Sequence, residues 1–170
     1  MVTEYSTRTK LNAFFEYWFM ANEMKRLWFE DFPAGVEGID SLEDATAVAR
    51  RATLQMRLWY SCLFVVVEGY QELTDSGDLT RSDDVDELLE DSEGVDGLRL
   101  LRNSTFHFQP SWGHQKFFAF FHGQGRAQWI RTLHKRLGAV AIQAEMGSKE
   151  HETARLEELN VLLADNEESA

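Results

Sequence analysis

The sequence contains few of the residues that cross-link or interrupt a chain. Its 170 residues include one cysteine, Cys62, and two prolines, Pro33 and Pro110. A single cysteine excludes an intramolecular disulfide and is typical of proteins from a reducing compartment. Because proline is the strongest interrupter of a helix, most of this chain is open to long helices.

Long hydrophobic runs are also missing. The densest apolar segment, residues 58–67, is about ten residues long, whereas a membrane-spanning helix needs roughly 18. The first six residues contain no apolar stretch of the kind found in signal peptides. We therefore expect a soluble, cytoplasmic protein that has no membrane partner.

Acidic residues are absent from residues 97–144, although the whole chain has 29 acids, 17 bases and a net charge of −12. Four of the five histidines lie in this acid-free segment. Its bases are Arg99, Arg102, Lys116, Arg126, Arg131, Lys135 and Arg136. We interpret the acid-free segment as a positive face for an anionic ligand. The alternative is a chance gap beside an acidic surface that keeps the protein in solution.

Apolar residues are plentiful, at 44% of the chain, and they include twelve Phe, five Trp and four Tyr. A chain of this length and composition can bury a core large enough to offset the entropy of ordering it. The sequence therefore predicts one domain over residues 1–165, followed by an acidic tail at residues 166–170.

Helical periodicity dominates the first half of the chain. Apolar residues three and four apart predict a helix over Thr7–Asp31, ended by Pro33 and Gly35. A second helix begins at a capping box that starts with Ser41 and runs to near Leu73. Its later part is apolar on nearly every side, which is typical of a helix at the centre of a bundle or at a subunit interface.

The second half of the chain begins with an acidic stretch. Residues 75–96 hold ten acids against one base, which predicts a solvated loop with a short helix near Val85–Asp91. The same periodicity places further helices at Val95–Phe106, Gln124–Met146 and Glu150–Ala164. The fold class that follows is all-α, an up-and-down bundle of about five helices.

Three polar residues near the end of the third long helix are the strongest candidates for a site. Asn103 and His107 are four residues apart and share a helix face, while Arg102 is long enough to reach round to them. Pro110 follows closely, which places His107 at or just beyond the helix end. The alternative interpretation is structural, because cationic residues near a helix C-terminus complement the helix dipole without any ligand.

The stretch from Leu98 to Gln109, with Arg102, Asn103 and His107 inside it, resembles the signature of the HEPN superfamily (higher eukaryotes and prokaryotes nucleotide-binding). That signature is Arg, four to six residues, then His, often with Asn directly after the Arg. The order of a long first helix, an apolar second helix, a variable connection and the motif helix is also similar.

The resemblance implies a metal-independent endoribonuclease that needs no cofactor and works as a homodimer with two motifs in one composite cleft. It implies a role in a bacterial or archaeal defence or toxin-like system, with RNA as substrate and an antitoxin or defence-complex protein as a further partner. His107 would act as general acid and base, Arg102 would stabilise charge on the scissile phosphate, and Asn103 would orient the phosphate or the histidine. Cleavage would leave 2′,3′-cyclic phosphate ends.

Three more residues are candidates for contacts to the substrate. Arg99 and Lys116 belong to the acid-free segment, and Glu68 closes the apolar run of the second helix, where it either lines the cleft or marks the helix emerging into water. The histidines lack the cysteine or acidic neighbours of a zinc site, so we expect no metal. Trp112 and the aromatic residues 117–121 either stack on bases or belong to the core.

Two other functions remain open. One is a catalytically inactive HEPN-like module for dimerisation or protein interaction, in which Arg102 and His107 tie helices together. It is favoured by the net charge of −12, which repels RNA at long range. The other is a regulatory domain that binds a nucleotide or a small anion. The acid-free segment and the intact motif favour the ribonuclease.

Overall fold

The computed structural model describes residues 5–37, 39–108, 120, 123 and 125–167, with side chains described outside 32–37 and 148–167. In this part of the chain the secondary structure is entirely helical. Its elements are α1 (Thr7–Glu37), α2 (Leu42–Asp75), α3 (Asp83–Leu89), α4 (Ser92–Phe106) and α5 (Arg126–Glu167). The prediction of an all-α bundle of about five helices is confirmed.

Helices α1 and α2 form an antiparallel pair. Ser41 caps the start of α2, since its side chain accepts a hydrogen bond from the backbone N–H of Asp44, as the capping box predicts. At this end of the pair, Gln55 Nε2 donates to Asp31 Oδ2 over 2.6 Å. At the other end, Phe14 packs closely over Gly69, where a side chain would crowd its ring. The connection between the two helices is short, as an antiparallel hairpin requires.

Helix α2 lies at the centre of the bundle, as its apolar surface predicts. It packs against α1, α4 and α5. Its fully buried aliphatic and aromatic residues are Trp59, Leu63, Val66, Val67 and Tyr70. The core that they form is completed by Leu98 and Leu101 of α4 and by Ile130, Leu133 and Leu137 of α5. Burial of this apolar area holds α4, and with it the candidate site, against α2.

Two predicted helix ends are wrong. Helix α1 continues through Pro33 and Gly35 to Glu37, and a single helix, α5, covers the two segments predicted as Gln124–Met146 and Glu150–Ala164. Proline removes one backbone hydrogen bond, and a glycine such as Gly147 costs a helix about 1 kcal/mol, so neither is sufficient to end a long helix.

The acidic stretch at residues 75–96 contains the predicted short helix and most of its acids are exposed, but it is folded onto the bundle, and its last residues belong to α4 and not to a loop. Its short helix is α3, which starts two residues earlier than predicted and whose Val85 side chain is fully buried. The Tyr70 hydroxyl accepts a hydrogen bond from the backbone N–H of Ser82 and donates one to Asp86 Oδ1 over 2.9 Å. These contacts attach α3 to α2.

The predicted acidic tail begins inside α5, which extends to Glu167. Residues 168–170 lie outside the described part of the chain. Among the described helices, none combines the length and the apolar character that crossing a membrane requires.

Candidate functional site

The end of α4 positions the residues of the Arg-Asn…His motif. The helix ends at Phe106, and His107 follows with an extended backbone (φ −113°, ψ 140°). Its N–H still donates to the carbonyl oxygen of Asn103 over 3.0 Å, which joins the two motif residues through the last turn. The side chain of His107 is exposed. The prediction that His107 lies just beyond the helix end is therefore confirmed.

Arg102 is held by three neighbours. Its Nη2 donates to Glu68 Oε2 and its Nη1 donates to Asn103 Oδ1, each over 3.0 Å. Its guanidinium carbon lies 5.8 Å from the centre of the Phe64 ring, a cation–π distance. The structure thus brings together three of the predicted site residues, Arg102, Asn103 and Glu68, from α4 and α2. Phe64, which sequence reasoning did not single out, supplies the wall behind the guanidinium.

The site of Arg102 faces solvent. About one third of the Arg102 side chain and nearly half of the Glu68 side chain are exposed. An ion pair with this exposure is weak, because water solvates both charges and salt screens them. Arg102 is therefore fixed in direction by its neighbours but remains accessible to a solute.

The other two predicted contact residues are not joined to this cluster. Arg99 lies one turn before Arg102 and pairs with Asp96 on its own helix, Nη2 to Oδ1 over 3.0 Å. Lys116 and Trp112 lie outside the described residues. Of the aromatic residues 117–121, the described one is Phe120, whose ring is buried against α4 close to Gly97. For Phe120 the core interpretation is the correct one.

A buried arginine, Arg57, supports the motif helix from α2. It is 2% exposed, and its Nη2 donates to the carbonyl oxygen of Ser104 over 2.7 Å and to Ser104 Oγ over 3.2 Å. Burial lowers the pKa of Arg57. The carbonyl of Ser104 is one of the last in α4, so the cation is placed where the helix dipole is negative. Sequence reasoning missed Arg57, although a cation directly before the apolar run 58–67 is a signal that such a residue needs a partner.

The acid-free segment does not form a continuous positive face. Four of its six described bases are paired with carboxylates. The pairs are Arg99–Asp96, Arg102–Glu68, Arg126–Asp91 and Arg136–Asp84, with N–O distances from 2.6 to 3.0 Å. Three of the four acids come from the acidic stretch at residues 75–96. The prediction of a positive face is corrected accordingly, because a charge map along the chain does not show which charges meet in space.

A shallow cleft lies elsewhere, between α3 and α5. It has a volume of about 260 Å³ and is lined by Asp84, Glu87, Leu88, Asp91, Trp129, Thr132 and Arg136. None of the predicted site residues lines it. Across the described residues, no three side chains of His, Cys, Asp or Glu come together in a way that could hold a metal ion.

Comparison with models of known families, with curated proteins and with solved structures found no match to this chain. The resemblance to the HEPN superfamily therefore remains a prediction that rests on the residues of the motif.

Proposed function

We propose that this protein is an endoribonuclease of HEPN type that cleaves RNA without a metal ion, as part of a bacterial or archaeal defence or toxin-like system. The observation that carries the proposal is the arrangement at the end of α4. There, the exposed imidazole of His107 comes directly after the last turn of α4. Arg102, in the preceding part of the helix, is oriented by Asn103 and Phe64. Such a pair fits a reaction at a phosphodiester bond.

His107 and Arg102 have different roles in the proposed reaction. A histidine has an ordinary pKa near 6.5 and can both accept and donate a proton near neutral pH. His107, as general base, takes the proton of an RNA 2′-hydroxyl, whose oxygen attacks the phosphorus. The bond between the phosphorus and the 5′-oxygen breaks, and His107, as general acid, returns the proton to that oxygen. The products are a 2′,3′-cyclic phosphate and a 5′-hydroxyl. Arg102 stabilises the negative charge that develops on the phosphate oxygens.

A homodimer is part of the proposal. Phe106 and Phe108 flank His107 and are 59% and 93% exposed, which leaves apolar surface beside the motif. A second copy of the chain that covered this surface would bring two motifs together and double the positive charge over one cleft. Sedimentation velocity measures this state, and a monomer at concentrations that cleave RNA would contradict the dimer.

The test of the proposed reaction is cleavage of mixed RNA in EDTA. We expect the wild-type protein to produce 2′,3′-cyclic phosphate ends. His107→Ala should lower the rate by at least about a hundredfold, the usual contribution of a general acid–base group, and Arg102→Ala should do the same because it removes the stabilisation of charge on the phosphate oxygens. Arg26→Ala is the matched control, since Arg26 is an exposed arginine on α1 whose partners, Glu23 and Glu30, lie on its own helix. It should retain activity.

The second candidate is an inactive HEPN-like module that binds another protein, such as an antitoxin. It is favoured by the ion pair between Arg102 and Glu68 and by the neutralised bases of the acid-free segment. Folded wild-type protein that leaves varied RNAs intact, while forming a stable complex with a partner protein, would support this module and contradict the ribonuclease.

A further inference from the structure

A carboxylate of the protein itself already binds the Arg102 guanidinium. Glu68, near the end of α2, places Oε2 3.0 Å from Nη2 of Arg102. The other terminal nitrogen, Nη1, donates to Asn103 Oδ1, and Phe64 lies against the guanidinium. The partner of Nη2, Glu68, therefore comes from another helix, and its flexible side chain can leave Nη2 without moving α4.

Exchange of this partner requires little rearrangement. The Glu68 side chain is 45% exposed and can rotate into water, where its charge is well solvated. Asn103 and Phe64 can keep their contacts while this happens, so Arg102 stays oriented. An incoming phosphate oxygen has the same negative charge and the same hydrogen-bonding capacity as the carboxylate oxygen that it replaces.

We propose that Glu68 occupies the phosphate position of this site, and that an anionic ligand binds by displacing it from Arg102. Glu68 then lowers the affinity of the site and favours anionic ligands, because a neutral acceptor binds a guanidinium less strongly than the carboxylate that it would have to displace. The identity of the anion as an RNA phosphate rests on the proposed function, whereas the displacement itself does not.

Two matched variants test the displacement. Glu68→Gln removes the competing charge with little change of shape, and Glu72→Gln removes the same charge one turn further along α2 from an exposed side chain. Both raise the net charge by one, so their difference reports the contact with Arg102. The probe is inorganic phosphate, followed by the NMR signals of the Arg102 guanidinium, and thermal melting checks that each variant is folded.

Glu68→Gln should bind phosphate more tightly than Glu72→Gln, by up to about fivefold, the range expected for loss of one exposed ion pair. Equal affinity in the two variants would show that only net charge matters, and weaker affinity in Glu68→Gln would show that Glu68 helps to form the site. Either result overturns the proposal, as does an Arg102 signal that phosphate does not shift.

Cleavage assays on the same proteins keep the two proposals apart. If no variant cleaves RNA, the ribonuclease fails, but the phosphate comparison still decides the role of Glu68. If the wild-type protein cleaves RNA and the two glutamine variants bind phosphate equally, the displacement fails and the ribonuclease stands.

Discussion

Among the histidines whose side chains the structure describes, His134 is buried, whereas His107 is exposed. His134 is 2% exposed. Its Nδ1 accepts a hydrogen bond from Trp59 Nε1 over 3.2 Å, so the proton is on Nε2, which donates to Asn22 Oδ1 over 3.3 Å. The imidazole thus links α1, α2 and α5 in its neutral form. It is a structural residue, as histidines inside a core commonly are.

The stability of the protein should depend on pH through His134. Burial, and secondly the charge of Lys25, lowers the pKa of His134 from 6.5 to about 4. The unfolded chain therefore binds a proton at a higher pH than the folded one, and stability falls as the pH drops from about 6.5 towards 4. By pH 5 the loss should reach about 2 kcal/mol.

Urea denaturation at pH 7 and pH 5 measures this loss. In His134→Gln the contribution should be absent, so the variant, although less stable than the wild-type protein at pH 7, should lose about 2 kcal/mol less between the two pH values. An equal loss in both proteins would assign the pH dependence to other groups.

At the scale of the helices, close packing of α5 on α1 depends on a glycine. A Cβ added at Gly138 would lie 2.6 Å from Nε1 of Trp18, much closer than real contacts allow. The same atom added at Gly147, nine residues further along α5, would meet nothing within 4 Å. The two glycines therefore have different roles in one helix.

Alanine at these two positions should change stability in opposite directions. Gly138→Ala should lower the free energy of unfolding by about 1–3 kcal/mol, because Trp18 must move from its place against α5. Gly147→Ala should raise it by about 0.5–1 kcal/mol, since alanine has the higher helix propensity. Urea denaturation of both variants measures the difference, and equal stabilities would contradict the close packing of Trp18 on Gly138.

Periodicity predicted the helices themselves well because it reflects burial. The apolar spacing placed α2 and α4 nearly correctly, and the capping box at Ser41 located the start of α2 to the residue. The end of α1 and the continuity of α5 were not predictable, because the cost of a single proline or glycine is local and does not by itself end a long helix.

The candidate site was predictable in its residue types and only partly in its contacts. The motif indicated Arg102, Asn103 and His107, since helix geometry places neighbours three and four apart on one surface. The support from Arg57 depends on how α2 and α4 pack, 47 residues apart in the sequence. Periodicity within one helix carries no information about such a contact.

On the scale of the whole molecule, the two charge regimes of the chain neutralise each other. The acidic stretch at residues 75–96 lies against the basic part of α5 and its surroundings. Arg126 Nη1 donates to Asp91 Oδ2 over 2.6 Å, and Arg136 pairs with Asp84. The excess of negative charge remains elsewhere on the surface. Ion pairing between segments that are distant in the sequence therefore contributes to the fold.

Asp91 both pairs with a base of α5 and caps α4. It caps α4, with its Oδ1 accepting from the Gly94 N–H over 2.9 Å, and its other oxygen binds Arg126, whose side chain is 13% exposed. Burial raises the pKa of Asp91, but the hydrogen bonds from Gly94 and Arg126 and the positive charge of Arg126 lower it more, so it lies below its usual value. The stabilisation is therefore present at neutral pH and is lost as the pH falls through this lowered pKa.

Asp91→Ala should lower the free energy of unfolding at pH 7 by about 2 kcal/mol, because it removes a helix cap and leaves a largely buried guanidinium without its carboxylate. Glu90→Ala, at the neighbouring exposed position, should change it by less than about 0.5 kcal/mol. Urea denaturation of both variants at pH 7 measures the contrast. Equal effects would mean that general loss of negative charge, and not the link from α4 to α5 through Asp91, determines the stability of this part of the bundle.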